Sequence, residues 1–572
     1  MDPVIVVGAG PVGLALALAL ARHEVPSIVL DQGSGVCPEG PRSAVLGPES
    51  TAFLERLGYL RAASDAARWE RLSVWRRRQQ VLDLDLTDHP VLHLPQHRLQ
   101  RGLRDAATAT HLIQLVPHSR VEEIDQDRDG VSVRGRHPQD GTDTWWRASH
   151  LVGCDGARSA VRKLLGIRFP GRPAVDRHAI ATVRVDLPFP GEARLHREPP
   201  WRGDREASAR PLPDGLWRLD WRLPLGRPVP SEPVDPHATW PGLVTGDTLL
   251  TRVKATLTGW CGQLPRYELL AAADHTAQQR LAARFRSGRC FLAGDAAHLH
   301  GALGMQNLAD GLRDVDNLAW RLAVAWHLPP AFSREDPQVG GARSGGSLLD
   351  GYEAERRGAV GARLRAVDQA MPLLRPLRGW QQTRRSLLTG SFRKHAPLLT
   401  DGLLGTGRFG GAPAYPAAPS GVPGRAGGLP VQRGAGRGTA LSEQLPATAP
   451  GVLVPDLPVV TAEGATDQLY ARLGATFLLL LVAPGTAVWS AERWMGAGLM
   501  PRLAEVADAL PVPAEVLVTE EYPGAGAHTV LLIRPDGHLV GVTQGCKAED
   551  LQALADGVRG GPTPLAGAEQ VV

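Results

Sequence analysis

Apolar and polar positions along the chain alternate in strand, turn and helix units punctuated by glycine. Val4–Val7 are four consecutive β-branched residues, and the glycines at 8 and 10 end the run, so a short strand buried on both faces is predicted. Pro11–Arg22 then carries an unbroken apolar helical pattern with proline in its first turn, where a missing N–H costs nothing. A second strand, Ser27–Leu30, follows. The order returns twice. In "HLVGCDGARSAVRKLLGIRFPG" an apolar strand, Leu151–Cys154, stops at Asp155-Gly156 and a helix starts near Arg158–Arg162; in "FLAGDAAHLHGALGMQNLADGL" a strand stops at Gly294-Asp295 and a helix starts near Leu308 or Gly311.

Between Arg172 and His275 the pattern changes to period two. "GLWRLDWRLPL" places Trp217, Leu219, Trp221 and Leu223 on one side of a strand, which predicts a sheet with one apolar face. A helical pattern runs from about Leu348 to Phe392. Residues 411–438, rich in Gly, Pro and Ala, have linker composition. Strand and helix patterns restart with "TFLLLLVAPG" and end near "TVLLIRPDGHLVGV".

Composition narrows the class. A chain of 572 residues exceeds one ordinary core. With 43% hydrophobic and 21% charged residues and a net charge of +4 it reads as a soluble globular protein. Lys163, Lys254, Lys394 and Lys547 are its lysines, and no basic run is dense enough for nucleic acid. Five scattered cysteines without a CxxC pair argue against a disulfide framework or a metal site and fit a reducing cytoplasm. No signal peptide is expected, because Met1-Asp2-Pro3 leads straight into a strand, and no apolar run approaches membrane-spanning length.

Gly8-Ala9-Gly10-Pro11-Val12-Gly13 fits GxGxxG. Gly8 serves a tight turn, Gly10 lets a pyrophosphate approach the backbone, and Gly13 lets the helix pack on the sheet. The helix N-terminus then offers free N–H groups to the diphosphate. Asp31, closing the second strand, stands where a carboxylate meets ribose hydroxyls. An acid there, with no arginine just after it, disfavours a 2′-phosphate and leaves FAD or NAD. Asp155 alone reads equally as a helix cap.

GxGxxG, Asp155-Gly156 and Gly294-Asp295-Ala296-Ala297-His298, in this order, resemble the class A FAD-dependent aromatic monooxygenases of the para-hydroxybenzoate and phenol hydroxylase type. The likeness covers roughly residues 1–375. It implies an α/β fold. A discontinuous Rossmann-type FAD-binding domain (1–171 and 276–347) would hold an inserted β-sheet substrate domain (172–275), followed by a helical segment (348–410) and a linker (411–449). The remainder, 450–572, resembles the thioredoxin-like extension of bacterial phenol hydroxylase relatives. No cysteine follows its first strand, between Thr486 and Trp494, so a packing or dimer role is expected rather than thiol chemistry.

The resemblance further implies that Gly8, Gly10, Pro11, Val12, Gly13 and Asp31 bind FAD together with Arg42, Gln96, Asp155 and Asp295. Val121 would meet the adenine through its backbone, and the backbones of Leu308 and Ala309 would meet the flavin pyrimidine edge. Gly301-Ala302 and Gln306–Ala309 depart from the prolines and glycine-rich run common in the family. His300 is read as a solvated loop histidine, with facing the ring as the alternative; Gly311, Arg313, Asp314 and Asn317-Leu318-Ala319-Trp320 also match the family, the last four as helix packing and capping.

NADPH or NADH would be a transient reductant, O2 the co-substrate, and a flavin C4a-hydroperoxide the oxidant acting on a bound phenol, quinol or polyketide. No protein side chain is nominated as catalytic. The apolar sheet face and its tryptophans, Trp201, Trp217, Trp221, Trp240 and Trp260, are expected to roof the flavin, with Arg194, His196 and Trp201 at the pocket rim. Baeyer–Villiger oxygenation of a ketone, and a flavin reductase or FAD-binding regulatory protein that never activates oxygen, are the alternatives. A monomer or homodimer is expected.

Overall fold

The computed structural model describes residues 2–35, 39–59, 64–88, 90–201, 206–223, 246–301, 307–327, 348–374, 400–404, 407–416, 445–485 and 498–559. In chain order its first helices are α1 (Pro11–Arg22), α2 (Pro48–Arg56), α3 (Gln96–Thr108), α4 (Ala160–Leu164), α5 (Gly246–Cys261), α6 (Asn307–His327), α7 (Asp350–Tyr352) and α8 (Gly358–Leu374).

The Val4–Val7 strand lies between Ser27–Leu30 and His150–Gly153, parallel to both. Ile113–Val116 and Cys290–Leu292 extend this parallel core outward, and Arg286–Ser287 adds an antiparallel edge. α1 packs against both α3 and α6. That sandwich explains why its apolar pattern runs all round: Leu14, Leu16 and Leu20 are wholly buried. Register sets Val7 beside Gly153 and Gly153 beside Leu292. Three strands therefore end at one level, and the three signals read in the sequence leave the sheet side by side.

A second sheet of eight strands runs in the order His298–His300, Tyr267–Leu281, Gly171–Val185, Leu216–Leu223, Glu206–Leu212, Glu192–Arg197, Arg71–Arg76, Gln79–Asp85. It reaches outside residues 172–275, borrowing strands from the N-terminal segment and from just after Asp295. Ala179, Ala181, Val183, Trp217, Leu219 and Trp221 on one face pack with Leu249, Val253 and Leu257 of α5. Trp221 Nε1 also donates to Thr256 Oγ1 at 2.9 Å. This overturns the expected orientation. The apolar face is closed by α5, and the opposite, polar face is the one turned towards the cofactor-binding domain.

From Asp350 a helical run passes through a π-turn, Glu353–Arg357, into α8. The C-terminal domain is a six-stranded sheet in which Phe477–Val482 lies parallel to Ala514–Thr519 and antiparallel to Thr529–Ile533. It docks on α6. Trp320 meets Phe477 edge-on at 5.6 Å, Asn317 Nδ2 donates to Asp536 Oδ2 at 3.2 Å, and Arg534 Nη1 pairs with Glu355 at 2.7 Å. The Arg534–His538 turn is thus a docking element. Of the expected linker, Tyr415 is buried and its hydroxyl accepts from Arg356; residues 417–444 lie outside the described ones, as do 486–497 and 375–399.

Candidate functional site

The glycines of the first turn divide by what surrounds them. Gly8 has φ +107°, and a Cβ there would sit 2.6 Å from the Cys154 carbonyl oxygen; at Gly13 it would sit 1.9 Å from the Gly8 carbonyl oxygen. Both serve packing of chain on chain. At Gly10 a Cβ would meet nothing within 4 Å. Open space above an extended residue at a helix N-terminus is the cradle a diphosphate needs. Pro11 begins α1 as expected. Val12 has a role its position did not announce: a Cβ at Gly294 would lie 3.1 and 3.2 Å from its two methyls, and one at Gly311 2.7 Å from the nearer of them. It therefore wedges between the Gly294 turn and the first turn of α6.

Asp31 reaches back to this turn. Its Oδ2 accepts from Ala9 N at 2.7 Å and its Oδ1 from Gly33 N at 2.7 Å, leaving further lone pairs for ribose hydroxyls. Val121 is buried on an edge strand, and nearby Ser119 N donates to the Asp31 carbonyl at 2.8 Å. Gln96 is the first residue of α3, and its N–H donates to the Arg42 carbonyl at 2.9 Å. One turn on, Gln100 Nε2 donates to the Ala9 carbonyl at 2.9 Å. Sequence reading missed Gln100; its i+4 spacing from Gln96 was the available signal.

Asp155 Oδ2 accepts from Ala160 N at 2.6 Å and Val161 N at 3.0 Å, so the capping reading holds for one oxygen. The other, Oδ1, is buried with no partner within the protein, which suits a hydroxyl-bearing ligand. Asp295 sits in a short 3₁₀ turn beyond the Cys290–Leu292 strand. Burial pushes its carboxyl up, while His298 and Arg42 pull it down. Leu308 and Ala309 occupy the first turn of α6, where N–H groups have no intrahelical carbonyl. Residues 302–306, including the altered part of the loop before that helix, lie outside the described residues.

Beneath the Gly294 turn lies a charge network. Asp314 Oδ2 accepts from Gly294 N at 2.8 Å and lies 2.7 Å from His298 Nε2, while its Oδ1 accepts from Arg356 Nε at 2.7 Å. Burial alone would raise the Asp314 carboxyl; His298 and Arg356 outweigh it and hold it low. Asp310, equally buried, pairs with Arg313, Arg356 and Arg363. His300 is buried rather than solvated, with Nε2 2.7 Å from Asp310 Oδ2 though off the in-line angle, and burial lowers its pKa to about 4 against the pull of Asp310. Asp314 is thus more than helix packing, since it holds the turn that presents Asp295.

Across from this turn stands the polar face of the eight-stranded sheet. Arg218 Nη1 donates to Ser43 Oγ at 2.9 Å, and His93 bridges Ser43 and the Pro211 carbonyl. Asp220 pairs with Arg210 and Arg218. Trp217 and Trp221 face α5 instead; Trp201 and Trp260 meet edge-on at 5.9 Å, and they meet His196 and Phe189 of that same side edge-on as well. Arg194 lies over Phe189 there, so the expected rim residues are on the far face. Trp240 lies outside the described residues.

A nucleotide-shaped cradle at the ends of parallel strands, with an orphaned acid oxygen and a half-buried aspartate beside it, fits a flavin dinucleotide. Residues 1–366 match the family described as FAD binding domain, and the chain belongs to that family. Its relatives include the 12-dehydrotetracycline 5-monooxygenase/anhydrotetracycline 6-monooxygenase of Streptomyces rimosus, 29% identical over 94% of each chain. The rifampicin monooxygenase of Streptomyces venezuelae is 32% identical over 62% of this chain and 68% of its own. Among solved structures, the flavin-dependent monooxygenase PieE with FAD and substrate shares the fold at TM-score 0.69 and 21% identity, covering 97% of this chain and 98% of its own. Aklavinone-11 hydroxylase with FAD and aklavinone does so at TM-score 0.67 and 22% identity, covering 98% and 99%.

Proposed function

We propose that this chain is an FAD-dependent monooxygenase that hydroxylates an aromatic substrate, a polycyclic phenol, quinol or polyketide, using NADPH or NADH and O2. One observation carries the reading. The Gly8–Gly13 turn, Asp155 and Gly294-Asp295 leave adjacent strand ends together, α6 begins beside them, and a charged sheet face stands opposite. Relatives along nearly the whole chain that are named as monooxygenases support the reaction class. FAD, when bound, would take reducing equivalents from the nicotinamide and deliver one atom of O2 to the ring.

The chain's own residues bind and orient. Gly10 and the α1 N-terminus receive the diphosphate. Asp31 takes the ribose, and Asp155 and Asp295 take hydroxyls of the cofactor. Arg42 adds positive charge, and the first turn of α6 favours negative charge on the ring. The C-terminal domain is read as thioredoxin-like, supported by its parallel pair beside an antiparallel hairpin and the closing Ala548–Arg559 helix. A cytoplasmic monomer or homodimer accompanies this reading. The four described cysteines are free thiols, and no described helix is long and apolar enough to cross a membrane.

The test is the absorbance spectrum of purified protein, then turnover of a phenol panel under labelled dioxygen. A flavin spectrum and one labelled oxygen per hydroxylated ring are expected. Label inserted only beside a ketone carbonyl would favour Baeyer–Villiger chemistry, and NAD(P)H consumption with no labelled product would favour a non-oxygenating flavoprotein.

A further inference from the structure

His300 closes the short His298–His300 strand, and its N–H donates to Asn307 Oδ1 at 2.9 Å, which ties it to the residue that begins α6. Its ring reaches the first turn of the same helix. Nε2 lies 2.7 Å from Asp310 Oδ2, off the in-line angle, and both residues are 2% exposed or less. That turn is the one placed at the flavin ring. On the other side the His298 ring stands 5.1 Å away, and His298 acts in turn on Asp295. His300 is thus buried between two parts of the chain that meet the cofactor.

Its partner Asp310 is ionised. Burial opposes this, but Arg363, His300 and Arg313 hold the carboxyl well below the usual range. A carboxylate only accepts, so Nε2 of His300 carries the hydrogen and Nδ1 keeps a bare lone pair. Nδ1 is buried, and among the described residues nothing donates to it. A dry acceptor without a donor is the exception in folded proteins and calls for a reason. The ion pairs around it match: Arg313 with Glu49, Arg356 with Asp314, Arg363 with Asp310. A proton on Nδ1 would be opposed by burial, by His298 on the same strand and by Arg363 of α8, and favoured by Asp310. Gln279, opposite on the neighbouring strand, brings no charge. Burial prevails and lowers the His300 pKa to about 4. One further negative charge nearby would reverse that balance.

We propose that His300 takes up one proton each time the flavin is reduced and releases it on reoxidation, so that the buried His300–Asp310 pair answers the charge of the reduced ring. The proposal rests on the FAD reading above and adds a partner for the ring within the protein. Hydride from the nicotinamide brings two electrons and one proton to the flavin and leaves it with one negative charge. A second proton comes from water and forms an N–H bond with the lone pair of Nδ1. When the flavin is oxidised again that bond breaks, and the proton returns to water. His300 touches neither substrate nor reacting atom; it is a positioning residue for charge. An opposite charge at short range raises the pKa of a base by about one unit or more. The reduced protein then holds more protons than the oxidised protein between about pH 4 and 6, and falling pH favours reduction more steeply there.

The test is the midpoint potential of FAD-loaded full-length protein, followed by spectroelectrochemistry with mediator dyes from about pH 4.5 to 8. Above about pH 6.5, two electrons and one proton set one slope; below about pH 6 the second proton is expected to make the slope about twice as steep. H300N is expected to keep the shallow slope throughout. D310N removes the acid that favours the proton and is expected to move the steep limb to lower pH. Absorbance of the reduced flavin in the same titration should stay that of the anion, which separates uptake by His300 from protonation of the ring. A uniform slope in wild type overturns the proposal whatever the variants do, as does a steep limb that H300N retains or that follows a change to the neutral reduced spectrum. Protein that takes up no FAD sinks the flavoenzyme reading, and this proposal with it.

Discussion

At Gly13 a Cβ would sit 1.9 Å from the Gly8 carbonyl, whereas at Gly10 it would meet nothing. The two glycines should therefore fail differently. Gly13→Ala is expected to lower the melting temperature of the FAD-free protein, because α1 can no longer seat on its own turn. Gly10→Val, at an extended residue with φ −73° and ψ 176°, should leave that melting temperature unchanged and weaken FAD at least tenfold, about 1.4 kcal/mol. Thermal shift and flavin titration of both variants check this, and equal loss of stability in the two would refute it. Asp314 makes a contrasting case. It is fully buried and answers Arg356, His298 and the Gly294 N–H. Asp314→Ala leaves the buried Arg356 with Asp310 alone and the Gly294 N–H without its acceptor, at a cost of about 3 kcal/mol, readable by denaturant unfolding.

Among the elements, α6 bears on every layer. Its first turn meets Val12, its middle holds Asp314 beneath the Gly294 turn, and Trp320 lies in the core of the C-terminal domain. The C-terminal domain is thereby tied to the helix that begins at the flavin position. Arg534 is the polar centre of that contact, paired with both Glu355 and Asp536. Burial would raise the Glu355 carboxyl, but Arg321 and Arg534 hold it at about 2. Arg534→Ala takes the arginine from the buried Asp536 and leaves Glu355 with Arg321 alone, and should cost about 3 kcal/mol. Limited proteolysis should then release the C-terminal domain earlier than in wild type. If cleavage rates match, the turn is a surface contact and not a dock.

For the molecule as a whole, buried bases set the acid limb of stability. Burial holds His150 at about 3 and His300 at about 4, against about 6.5 when unfolded. Between those values the unfolded chain binds more protons, so stability falls as pH drops from about 6.5 towards 4. Glu355 adds a second loss: its contribution is whole above its unfolded value of 4.5 and disappears as pH falls towards 2. Asp316, raised to about 6 by burial, works in the opposite sense and softens the first step. The unfolding midpoint should decline from pH 7 to pH 4, and a flat profile over that interval in a thermal-shift series would contradict this accounting.

Much of the architecture was legible because it is local. The bounds of α1, the strands beside it and the sharing of labour among Gly8, Gly10 and Gly13 follow from side-chain period and from which positions tolerate no Cβ. The strand ends before Asp31, Asp155 and Gly294-Asp295 are legible in the pattern, whereas their convergence around one flavin was implied by the family resemblance and not by the strand ends. Gln100 and the Asp310–Asp314 network were not legible, because their partners lie from tens to nearly a hundred residues away and burial, not spacing, selects them. The Trp217–Leu223 alternation declared that one face of that strand is apolar, but not what would cover it. Only the folded chain decided that α5 takes that face. The charged residues, His275, His178 and Arg222 among them, take the other side, because a period-two pattern fixes which residues share a side and leaves the choice of partner to tertiary packing.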